Sequence, residues 1–97
     1  MKQYIDENQE RFFEELFSIL RIPSISAREE HKADMYFCAE ALADLLVEAG
    51  ADEAGVCETM GHPVVFGQKI IDPKAYTVLV YGHYDVQPVE PLEKWNS

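Results

Sequence analysis

His83 and Asp85 are the residues whose types and spacing can do chemistry. They lie in the string Tyr81-Gly82-His83-Tyr84-Asp85-Val86-Gln87-Pro88. A hydrolytic metal site needs several His, Asp or Glu ligands and one open position for water. His83 can supply one imidazole. In an extended segment, residues i and i+2 point to the same side. Asp85 can therefore accept the ring N–H of His83 that faces away from a metal. Such a bond fixes the tautomer and ring orientation and raises ligand basicity. Gly82 leaves room beside the imidazole, and Pro88 stiffens the exit of the segment. His-x-Asp alone is a weak signal, because a surface His beside a turn Asp is the commoner arrangement.

The remaining chemistry-bearing residues have plainer readings. His62 precedes Pro63 in a turn, where a structural or solvated role is the default. His31 opens a polar helical turn and is expected at the surface. Cys38 falls on an apolar helix stripe and reads as a small buried hydrophobe. Cys57 has no evident partner. Ser24 and Ser26 read as loop and cap residues, with no base placed to activate either hydroxyl. Phe12, Phe13 and Phe17 read as core.

Several elements must position this pair. Tyr76-Thr77-Val78-Leu79-Val80 is an apolar run that reads as a buried strand, and residues 76–81 are expected to be the most central strand. His83 and Asp85 would then sit at its carboxyl end, where ligands collect in open α/β sheets. Residues 54–60 and 63–71 read as two strands of a hairpin around Gly61-His62. Asp72-Pro73-Lys74 reads as a turn. Upstream the period is helical. Ile5, Phe12, Phe13, Leu16, Phe17, Ile19 and Leu20 share one face, and Pro23 ends that helix near Leu20 or Arg21. Ser26-Ala27-Arg28-Glu29 matches a capping box for a second helix running to about Ala49. Its stripe is Met35, Cys38, Leu42, Leu45, Leu46 and Ala49, its solvated row Glu40, Asp44 and Glu48, and its stop Gly50. The tail, residues 89–97, has no helix or strand pattern.

Composition bounds the class. The 97 residues are 47% hydrophobic and 27% charged, enough for one modest core. The net charge of −10 argues against nucleic acid and anionic membrane surfaces as partners. Two cysteines without a C-x-x-C pair make neither a disulfide scaffold nor a zinc ribbon, and point to a reducing, cytoplasmic setting. No signal-peptide pattern opens the chain, and no apolar run approaches the roughly 20 residues that span a bilayer.

The longer string Gly82-His83-Tyr84-Asp85-Val86-Gln87-Pro88 resembles the metal-site signature of the two-zinc aminoacylase and carnosinase-type dipeptidase family. Ile22-Pro23-Ser24-Ile25-Ser26, Glu48-Ala49-Gly50, His62-Pro63-Val64-Val65-Phe66-Gly67 and Trp95 are similar to the family's surrounding segments. Tyr84 with Gln87-Pro88 is more like its dipeptidase branch. The resemblance implies that His83 ligates one zinc of a pair and that Asp85 holds the His83 ring. It implies a parent enzyme hydrolysing the amide bond of dipeptides or related N-acyl amino acids. There, a zinc-bridged water attacks the carbonyl while a Glu takes its proton. The family's remaining ligands and its lid and dimerisation domain have no counterpart in this sequence.

The expected fold is therefore α/β, with two helices on a small mixed three-stranded sheet, for which the resemblance implies the order 2-1-3. Residues 1–97 would be the amino-terminal portion of a three-layer zinc-peptidase domain. Alone they are expected to be inactive, to bind no zinc tightly, and to self-associate through an unpaired strand edge. The alternative is a stand-alone, non-catalytic binding or assembly module that keeps only the sheet.

Overall fold

The computed structural model describes residues 1–89 and 92–95. Two short helices open the chain, α1 (Lys2–Glu7) and α2 (Gln9–Leu20). The sequence pattern predicts one helix there. The break falls at Asn8, whose side-chain amide donates to the Tyr4 carbonyl at 2.9 Å. Asn side chains compete with the helical ladder in this way. Helix α2 stops at Leu20, as Pro23 requires.

The capping box does not form. Residues Glu29–His31 make a single 3-10 turn, and α3 (Lys32–Glu48) starts only after it, with His31 at its N-cap. The Ser26 hydroxyl donates instead to Asp85. Gly50 ends α3 with φ of +105°, a conformation that glycine adopts without a Cβ penalty.

Strands β1 (Glu53–Cys57) and β2 (Val64–Gln68) pair antiparallel, with Glu53 opposite Gln68 and Cys57 opposite Val64. The hairpin is the expected one, with shorter strands. It packs on α3. A Cβ at Gly67 would lie 2.9 Å from Leu46 Cδ1, so glycine lets the backbone of β2 close on the helix.

The third strand is not formed. Residues 76–81 have no ladder partner among the described residues, and Tyr76, Val78, Leu79, Val80 and Tyr81 are 83–103% exposed. The sheet thus has two antiparallel strands rather than three in mixed order. An apolar run makes a central strand only where strands flank it on both sides, and this hairpin does not reach it.

The core is small. Ile22, Ile25, Met35, Cys38, Ala39 and Ala43 are buried, with Ser24 among them. Of the expected α3 stripe, Met35 and Cys38 are buried, Leu42 and Leu45 half-buried, and Leu46 and Ala49 exposed. Ala39 and Ala43 take the inner positions instead. Helix α2 buries no residue. Phe12 is half-buried, whereas Phe13, Leu16, Phe17 and Leu20 are 41–57% exposed, so they are not core. The chain is flat, 51 × 38 × 19 Å, with a radius of gyration of 16.1 Å. A compact domain of this length has about 12–13 Å.

In the tail, Leu92–Lys94 makes one 3-10 turn. Residues 90, 91, 96 and 97 of the expected irregular tail lie outside the described residues. No helix among the described residues is long and apolar enough to cross a membrane.

Candidate metal-ligand loop

The loop after the apolar run is fixed by the loop after α2. Ser24 is almost fully buried, and its Oγ donates to the Tyr84 carbonyl at 2.8 Å. The Ser24 carbonyl accepts from the Val86 amide at 2.9 Å, and Ile25 and Val86 make a parallel bridge. The hydroxyl and the carbonyl of a buried serine are thus satisfied by residues 60 and more positions away. Leaving either group unpaired would cost its desolvation.

Ser26 continues the seam. Its Oγ donates to Asp85 Oδ2 at 2.6 Å. The other carboxylate oxygen, Oδ1, lies 2.9 Å from Nδ1 of His83. A carboxylate only accepts, so Nδ1 carries the proton in this pair. That leaves Nε2 of His83 unprotonated in the neutral ring, on a side chain that is 75% exposed. Two more contacts brace the seam from the β1–β2 turn. Nε2 of His62 donates to the Ser26 carbonyl at 2.9 Å, and the Tyr84 hydroxyl donates to the Pro63 carbonyl.

The electrostatics follow the same bonds. The Ser26 hydroxyl, and after it the His83 ring, hold the Asp85 carboxyl below its usual range. Burial, followed by the nearby Cys38 and Asp85 groups, pushes the Tyr84 phenol up. Burial pushes the Cys38 thiol up against a lowering contact from Ser24. A thiol so disposed is a core group and not a nucleophile.

The structure brings His83 and Asp85 together and leaves the other histidines apart from them. His31 bonds Asp34 at 2.8 Å on its own helix. Cys38 is buried and Cys57 exposed, both as free thiols. Sequence reading missed Ser24, Ser26, Tyr84 and His62 as the frame of the motif. The signal available was the Pro23-Ser24-Ile25-Ser26 string, which carries two hydroxyls in a loop too short to need both as caps.

Among the described residues no three His, Cys, Asp or Glu side chains are grouped to hold a metal ion. The residues present fit one ligand position with its orienting carboxylate, and not a complete site. Beside them opens a largely apolar cleft of about 1110 Å³, bounded by α2, α3, β2 and residues 80–85.

No model of a known protein family matches the chain. Individual proteins do. It is 29% identical to the Cys-Gly metallodipeptidase DUG1 of Saccharomyces cerevisiae over 98% of its own length. It is 32% identical to the protein of that name from Candida albicans, over 96%. A solved structure of the dipeptidase Dug1p from Saccharomyces cerevisiae superimposes with a TM-score of 0.87 at 29% identity, covering 98% of this chain. The chain is thus similar, in sequence and in fold, to part of proteins named metallodipeptidases.

It spans 22% of the length of these metallodipeptidase relatives, and the same share of the solved chain. The two helical segments and the antiparallel hairpin thus share their arrangement with part of that solved dipeptidase structure.

Proposed function

We propose that the chain supplies one metal ligand and its support to the catalytic domain of a metal-dependent dipeptidase. Nε2 of His83 is the ligand, Asp85 the carboxylate that orients it, and residues 1–97 the amino-terminal portion of that domain. The observation that carries this reading is the His83–Asp85 bond at 2.9 Å, which leaves the other ring nitrogen in the open. The similarity to proteins named Cys-Gly metallodipeptidase supports a dipeptide substrate whose amide bond is hydrolysed. The resemblance to the two-zinc peptidases supports a pair of zinc ions in the whole enzyme. Two free thiols support a cytoplasmic setting.

On this reading residues 76–81 are a strand whose partners belong to the rest of such a domain. The rest also holds the further ligands and the general base. The 97-residue chain alone therefore turns over no dipeptide, and calorimetric titration with zinc gives no submicromolar one-to-one site. Turnover by the chain that disappears in His83→Ala would refute this division of labour. So would a tight zinc site on the chain. Either result would favour a self-contained module.

A further inference from the structure

We propose that Ser26 is a positioning residue for the metal-ligand imidazole, acting through Asp85. This rests on the reading of His83 as a ligand. Three observations carry it. The Ser26 hydroxyl donates to Oδ2 of Asp85 at 2.6 Å while Oδ1 of the same carboxylate lies 2.9 Å from His83 Nδ1. Ser26 is itself anchored, since its carbonyl accepts from Nε2 of His62 at 2.9 Å. The segment just before it is fixed to the loop of Asp85 by the paired Ser24 contacts to Tyr84 and Val86.

The physical consequence is directional. A carboxylate whose second oxygen lacks a partner samples a wider range of side-chain torsions and aims less steadily at the ring. Ser26 occupies one oxygen and leaves the other aimed at the ring. A proton held on Nδ1 leaves the Nε2 lone pair for a metal. The order of action runs from the His62 turn to Ser26, from Ser26 to Asp85, and from Asp85 to His83. His62 and Ser26, 36 residues apart in sequence, thus belong to the ligand's support although neither would touch a metal.

The test is the ring-nitrogen NMR signature of His83 in the 97-residue chain, in mildly alkaline buffer where an ordinary imidazole is neutral. The wild type should show a protonated Nδ1 and an unprotonated Nε2, with a resolved Nδ1–H signal. Ser26→Ala should lose that signal and give an averaged mixture of tautomers. Ser26→Thr, which keeps the hydroxyl, should restore it. Amide spectra of α3 and the hairpin serve as the folding control. Asp85→Asn separates the two levels of the account. If Asp85→Asn changes the signature and Ser26→Ala does not, the role of Ser26 is overturned and that of Asp85 stands. If neither substitution changes it, the orienting bond itself, and the ligand reading with it, is overturned.

Discussion

Residues 84–86 and residues 76–81 are neighbours in sequence with opposite surroundings. The first segment is bonded at every residue. Tyr84 meets Ser24 and Pro63, Asp85 meets Ser26 and His83, and Val86 pairs with Ser24 and Ile25. The second is the most apolar run in the chain and has neither a ladder partner nor cover among the described residues. The difference teaches where each segment's partners are. The loop of residues 84–86 is held by residues of this chain. The apolar run is a strand by composition alone, and what would make it one is not among the described residues.

The sharpest way to break this contrast is a pair of truncations. Met35 is 2% exposed and Leu79 is 90% exposed. Met35→Ala should cost about 2–5 kcal/mol in denaturant unfolding. Leu79→Ala should stay within about 0.5 kcal/mol of the parent. Equal losses would mean that the apolar run is packed after all.

Ser24→Ala should come next, at about 1–3 kcal/mol, because it leaves the Tyr84 carbonyl without its donor. Amide exchange gives the same comparison without mutation. The Val86 amide should be protected and the amides of residues 77–81 should exchange near the unfolded rate. Protection along 77–81 would show that they have a partner.

Association probes the open side alone. The exposed run should drive self-association that light scattering detects and that Val80→Lys weakens. Added salt should strengthen it, since screening relieves the repulsion from a net charge of −10. A monomer at all concentrations would count against an adhesive edge.

The smallest effect concerns pH. Asp85 is depressed in the folded state by Ser26 and then His83. Its contribution to stability is therefore present above the ordinary carboxylate value of about 3.9 and is lost as pH falls through the lower folded value. The stability gap between the parent and Asp85→Asn should be widest near neutrality and close in acid. A gap that widens on acidification would reverse the assignment.

The sequence was legible where a local rule decides. Pro23 ended α2, Gly50 ended α3, and the 61–62 turn closed a hairpin. The His-x-Asp spacing brought the two side chains within bonding distance. It was illegible where a residue had two uses. Ser26 matches a cap by pattern, but a carboxylate nearly sixty residues on outcompetes the helix terminus for its hydroxyl. Composition likewise reported that Phe13, Phe17 and residues 76–81 are apolar, and not whether this chain covers them. Burial is a property of what lies opposite, which no window of the sequence contains.

We propose that His83, oriented from within this chain, is a metal ligand of a dipeptidase. The most direct measurement replaces the matching segment of the Saccharomyces cerevisiae metallodipeptidase with this chain and assays metal-dependent dipeptide hydrolysis. The chimera should be active, and His83→Ala should abolish its activity. Asp85→Asn should lower it by about 10–100-fold, as loss of an orienting partner does. An active chimera that is indifferent to His83→Ala would contradict the account.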